Sequence, residues 1–170
     1  NFNGNFGATT PLPGATASET GKLFNRYGLT AGGFGYRWHT TDPRWDLAVN
    51  PNEANHFGWV VEIDPYDPNA KPVKRTAMGR FKHESAQYVV DSDNRVAFYM
   101  GDDERNEYIY KFVSARAYNP RNRKDNLDLL DQGTLYVARF TSEGVTGKPG
   151  TYRGEWIALR WSDLDRSGER

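Results

Sequence analysis

The 170-residue chain contains no cysteine, so it cannot build a disulfide framework, a thiolate nucleophile or a zinc knuckle by itself. It also lacks a charge bias: 22 basic and 22 acidic side chains cancel. That removes the general electrostatic reason to expect a nucleic acid or an acidic membrane as partner. No run approaches the roughly 18 apolar residues that a membrane span needs. Apolar residues are sparse at 37%, and mean hydropathy is −0.82. Aromatics fill the gap, at 14% with 5 Trp and 10 Tyr, and they bury large area while their polar tips reach partners or water. A core built on them is expected. The chain opens on Asn1 without a basic-plus-apolar leader, so any targeting peptide is expected to have been removed or to lie outside the visible sequence.

Residues 1 to 56 read as loop-rich, because Gly4, Gly7, Pro11, Pro13, Gly14, Gly21, Gly28, Gly32, Gly33 and Gly35 interrupt every period. A short helical turn fits Gly21 to Tyr27. From Phe57 the texture becomes β-branched and aromatic. Strands are predicted at Phe57–Asp64 and Val73–Phe81, separated by the turn Asp64-Pro65-Tyr66-Asp67-Pro68-Asn69. A meander follows at Ser85–Val90, Arg95–Gly101 and Tyr108–Ser114, with turns at Asp91–Asn94 and Asp102–Glu107. Residues 115–132 read as a polar connection with a helical turn at Leu127–Leu130. Strands return at Thr134–Thr141 and Gly154–Arg160, separated by a loop from Ser142 to Tyr152. The fold class is all-β, in antiparallel groups of about four strands, as in one to two blades of a β-propeller. Residues 1–170 read as a single domain, part of a larger propeller, and are expected not to fold alone because blade edges would stay unpaired.

Two acidic marks fall near strand ends, Gly79-Arg80-Phe81-Lys82-His83-Glu84 and Gly101-Asp102-Asp103-Glu104-Arg105. Carboxylates there could gather a hard cation or a phosphoryl group. Each has a plainer reading. Glu84 could be a solvated glutamate paired with Arg80 or Lys82, and Gly-Asp-Asp suits a hairpin turn without any ligand. His83 should point to the opposite face from Glu84 in an extended strand, which suits packing or orienting a neighbouring ligand better than direct ligation. Asp91, Asp93 and Asn94 match a calcium loop at two positions and then fail at Arg95, so a turn is expected. Arg116, Arg121, Arg123 and Lys124 are balanced by Asp125, Asp128 and Asp131 and read as a solvated loop. His39 and His56 have no Ser or carboxylate partner recognisable by spacing.

The runs His56 to Pro65, Lys74 to Glu84, Val96 to Arg105, Tyr108 to Ser114 and Gly133 to Phe140 resemble, in order, the PhoX-type bacterial alkaline phosphatases. Asn1-Phe2-Asn3-Gly4-Asn5-Phe6 is similar to the stretch following a Cys-Glu-Glu segment of that family. The resemblance implies a β-propeller phosphomonoesterase acting on small phosphate monoesters. It also implies a cluster of Ca2+ and Fe3+ near the propeller axis and export to the periplasm or cell surface, commonly by the twin-arginine route. The remainder of the propeller is then a partner of these residues. Glu84 corresponds to a metal-bridging carboxylate, with His83, Asp102 and Asp103 as weaker candidates. The family's cysteine and Arg-Pro-Glu segments are not in this sequence, so an interior piece with an incomplete site is expected. The alternative is a propeller segment that binds or scaffolds without catalysis.

Overall fold

The computed structural model describes residues 2–142 and 150–160, so Asn1 and most of the expected Ser142–Tyr152 loop lie outside the described residues. Two compact units form, Asn1–Trp59 with Arg80–Lys82, and Val60–Gly79 with His83–Arg170.

The first unit is made of turns around an aromatic core. Short 3-10 turns occupy Phe2–Asn5, Trp38–Thr40, Pro43–Trp45 and Glu53–His56, with one helix, α1, at Glu19–Arg26. The helix starts two residues before the predicted turn because Ser18 caps it, its hydroxyl accepting the Gly21 N–H at 3.0 Å. Phe6, Phe24, Leu29, Leu47 and Ala54 are buried together, with Phe2, Tyr27, Trp45 and Phe57 packed on them. The Phe6 ring lies 5.2 Å from Trp45 and meets Phe57 edge-on at 5.5 Å, the tilted geometries that aromatic quadrupoles favour. Arg80 locks this core from a distant point in the sequence. Its Nε donates to the Phe57 carbonyl at 2.9 Å, and one terminal nitrogen donates to Ala54 at 2.7 Å. The guanidinium lies 3.8 Å from the Tyr27 ring centroid.

The same unit buries one carboxylate. Asp46 accepts from the Thr9 hydroxyl at 2.6 Å, the Thr9 N–H at 3.1 Å and the Ala48 N–H at 2.9 Å. Burial alone would push its pKa up, but these hydrogen bonds and the field of His39 win, so it stays below the ordinary aspartate range.

The second unit holds the sheets. Strands β1 (Val61–Glu62) and β2 (Val73–Lys74) form a short antiparallel pair. Five more form one antiparallel sheet in chain order: β3 (His83–Val90), β4 (Arg95–Asp102), β5 (Ile109–Ala117), β6 (Gly133–Ser142) and β7 (Tyr152–Leu159). The predicted meander is therefore present, with no end moved by more than three residues.

Two predicted strands are far shorter than expected. Phe57–Asp64 is cut to β1 because Gly58 adopts φ +85 and its carbonyl accepts the Phe81 N–H at 3.0 Å. Val73–Phe81 is cut to β2 because a 3-10 turn follows at Thr76–Met78 and ends at Gly79 with φ +86. The helical turn expected at Leu127–Leu130 instead lies at Arg123–Asn126, where Asn122 caps it by accepting the Lys124 N–H at 3.1 Å.

Met78, Met100, Phe112 and Ser114 are almost fully buried in this unit. Ser114 serves an irregularity between Arg95 and Ala97, where the β4–β5 register shifts. Its hydroxyl accepts the Val96 N–H at 2.9 Å and donates to the Arg116 carbonyl at 2.8 Å, satisfying groups the ladder leaves over. Gly133 opens β6 where no larger residue fits: a Cβ there would lie 2.3 Å from Phe112 and 2.4 Å from the Val113 carbonyl oxygen. Away from the sheet, buried Arg75 ties Glu62 at 2.8 Å to Asp131 at 2.6 Å.

Candidate functional site

The residues singled out for metal chemistry meet at one end of the β3–β4 ladder. His83 is the direct partner of Asp102, and Glu84 of Gly101. Immediately after Glu84 the register slips, between Glu84 and Gln87, and Ser85 takes φ +55. A bulge of this kind bends a strand and re-aims side chains, and it is common beside functional sites. Sequence reading missed it, because Ser-Ala-Gln carries no glycine or proline to announce a positive φ.

Glu84 is exposed, and among the described residues its side chain makes no hydrogen bond or ion pair. The pairing with Arg80 or Lys82 is absent; Arg80 instead binds carbonyls. Opposite Glu84 stands Gly101, so no side chain competes for the space on that face. His83 differs from its neighbour as strand alternation requires: it is half-buried. Its Nε2 lies 3.1 Å from the Gly79 carbonyl. A carbonyl only accepts, so Nε2 carries the proton and Nδ1 the lone pair in the neutral ring. Burial pulls the imidazole below its ordinary range, outweighing that hydrogen bond and the field of Asp102. His83 is thus held neutral, in one tautomer, beside Glu84.

Asp102 does turn work as well. Its Oδ1 accepts the Glu104 N–H at 3.1 Å, and its own N–H donates to Tyr108 at 3.2 Å, closing a turn in which Asn106 takes φ +63. Asp103 is exposed within that turn. Among the described residues no three His, Cys, Asp or Glu groups converge to hold a metal ion. A hard cation takes about six to eight oxygens, so these residues fit one contribution to a coordination shell, the open carboxylate of Glu84.

The remaining candidates fall out as structure. Asp91 accepts from the Asp93 and Arg95 N–H groups at 2.9 and 2.8 Å, forming the expected turn. Asp64 and Asp67 accept from Tyr66 and Asn69 in the same way. Arg116 pairs with Asp128 and Arg123 with Asp64. One reading needs correction: His56 does have a carboxylate partner, since its Nδ1 lies 3.0 Å from Glu53, three residues earlier on the same 3-10 turn. Among the described residues no helix is long and apolar enough to cross a membrane.

No curated protein matches the chain. Among solved structures, Pseudomonas fluorescens PhoX in complex with vanadate, a transition state analogue, is similar over 93% of this chain at 49% identity, with a TM-score of 0.80. The chain spans 26% of that protein's length. The expected fold class, antiparallel blades of an all-β propeller, is borne out by that likeness. A family model described as alkaline phosphatase PhoX matches residues 1–169, and with half the aligned residues identical to a PhoX of known structure, the chain belongs to the PhoX alkaline phosphatase family.

Proposed function

We propose that this chain is part of a longer, metal-dependent phosphatase that hydrolyses phosphate monoesters. The observation that carries the reading is the family match along residues 1–169. It is supported by 49% identity to a protein whose structure holds vanadate, a transition-state analogue. In this reading Glu84 contributes one carboxylate to a cluster of Ca2+ and Fe3+, and the exposed, unpaired state of its side chain suits that role. When bound, such metals polarise phosphoryl oxygens and lower the pKa of a bound water. His83 orients the Glu84 end of β3 through its bond to Gly79. Asp102 and Asp103 shape the adjoining turn, with Asp102 facing His83 across the ladder. The substrates are small phosphomonoesters, and the rest of the propeller completes the site. Export to the periplasm or cell surface, by the twin-arginine route, belongs to the same reading.

The test is Glu84→Gln in the longer protein, assayed with a chromogenic phosphomonoester and by elemental analysis of the purified protein. Loss of a metal ligand should lower both activity and bound metal by at least about tenfold. Full activity with full metal content in that variant would remove Glu84 from the site. Absence of phosphatase activity in the parent, despite bound metal, would leave a propeller that binds without catalysing.

A further inference from the structure

One ammonium lies half-buried among aromatic rings. Tyr99, Lys111 and Tyr136 are successive direct partners across β4, β5 and β6, so they share one face of the sheet. Trp156 precedes by two residues the β7 partner of Tyr136, Ala158, and shares that face as well. The Lys111 ammonium lies 4.9 Å from the Tyr136 ring centroid and 4.5 Å from that of Trp156. The Tyr99 and Trp156 rings are 5.9 Å apart. Among the described residues Lys111 makes no hydrogen bond and no ion pair. Aromatic faces hold a cation weakly compared with a carboxylate, so the rings do not take the place of a counter-ion for the ammonium. Its surroundings are open: Tyr99 and Trp156 are 39% and 38% exposed.

We infer that the Lys111 face of the five-stranded sheet docks an apolar, carboxylate-bearing surface of the longer protein, with the carboxylate meeting the Lys111 ammonium between the Tyr99, Tyr136 and Trp156 rings. Two features select that occupant. The charge calls for an anion delivered on an apolar surface, because an isolated solvated ion would leave the rings wet. About three quarters of the related PhoX chain has no counterpart in these residues, which span 26% of it, so chain is available in the longer protein to cover the face. The inference rests on the chain being part of a longer protein and not on the phosphatase chemistry.

The longer protein, in phosphate-free buffer, is treated with a water-soluble acylating reagent, and the lysines are mapped by mass spectrometry. Lys111 is only partly buried by its neighbours and Lys71 is exposed, so an undocked Lys111 should react within a few-fold of Lys71. Docking predicts that Lys111 is acylated roughly tenfold more slowly than Lys71. Zero-length carbodiimide coupling should join Lys111 to an Asp or Glu outside residues 1–170. Lys111→Met should lower the Tm, because the facing carboxylate is left buried and unpaired. Several results would overturn the inference: acylation as fast as at Lys71, coupling to a carboxylate within 1–170 or in a second copy, protection that appears only on adding phosphate, or an unchanged Tm in Lys111→Met. Phosphatase activity of the same sample reports separately on the catalytic reading.

Discussion

Glu84 and Gly101 face each other across the β3–β4 ladder, so the carboxylate rises from the sheet beside a residue with no side chain. The position requires glycine neither for backbone freedom, since Gly101 is not among the positive-φ glycines, nor for space, since a Cβ there would find as its nearest neighbour the Glu84 carbonyl oxygen, at an ordinary 3.9 Å. Gly101→Ala should therefore fold with a Tm close to that of the parent. Gly101→Phe, on the face Glu84 uses, should keep the fold and lower bound metal and phosphatase activity about tenfold. Equal losses in both variants would show that the open space is not what matters.

Ser114 holds the β4 irregularity together through a single hydroxyl. Ser114→Ala leaves the Val96 N–H buried without a partner, which costs about 1–3 kcal/mol. Chemical denaturation of the longer protein measures this; Ser114→Thr, which keeps the hydroxyl, should recover part of it if the extra methyl is accommodated.

Arg75 is almost fully buried, while its partners Glu62 and Asp131 are about half exposed. Those carboxylates can turn to water once the guanidinium is gone, so the cost of Arg75→Met should lie near the lower part of the range for lost charged hydrogen bonds, about 1–3 kcal/mol. A double-mutant cycle with Asp131→Asn should return a coupling of the same sign. Additive losses would mean that the pair does not act as one.

Asp46 supplies a pH dependence. Its folded-state pKa is depressed by Thr9 and Ala48 against the opposing effect of burial. Stability from this group is therefore complete above the ordinary aspartate range and is lost as pH falls through the lower folded value, below about pH 4. Asp46→Asn should be less stable than the parent at pH 7, and the gap should narrow on acidification. Tryptophan emission during acid titration follows it, since Trp45 packs in the same core.

The meander was legible because β4, β5 and β6 are rich in aromatic and β-branched residues and are bounded by Asp- and Gly-bearing turns. Phe57–Asp64 looked equally strand-like and failed. What cut it short was a hydrogen bond between Gly58 and Phe81, more than twenty residues apart, which no local pattern encodes. The candidate site was legible at the level of residue type and neighbourhood. His83 and Glu84 do fall at a strand end beside Asp102, and the turn reading of Asp103 agrees with its place in the structure. The Ser85 bulge and the Gly79 hold on His83 were not legible, since both depend on where the chain has already turned. Lys111 carries no signal for a related reason: a lone lysine between Tyr110 and Phe112 gives no hint that rings from three other strands will surround it.

The five strands stand in the sheet in the order in which the chain carries them. Each ladder therefore joins a strand to the one made just before it, and none waits for a distant segment. At about 5–20 residues per second of synthesis, a new strand of eight to ten residues emerges on the scale of a second. A hairpin closes in about 1–10 μs. Pairing thus has time to follow translation strand by strand, with the growing edge always the newest strand and the exposed interval of each edge set by the ribosome.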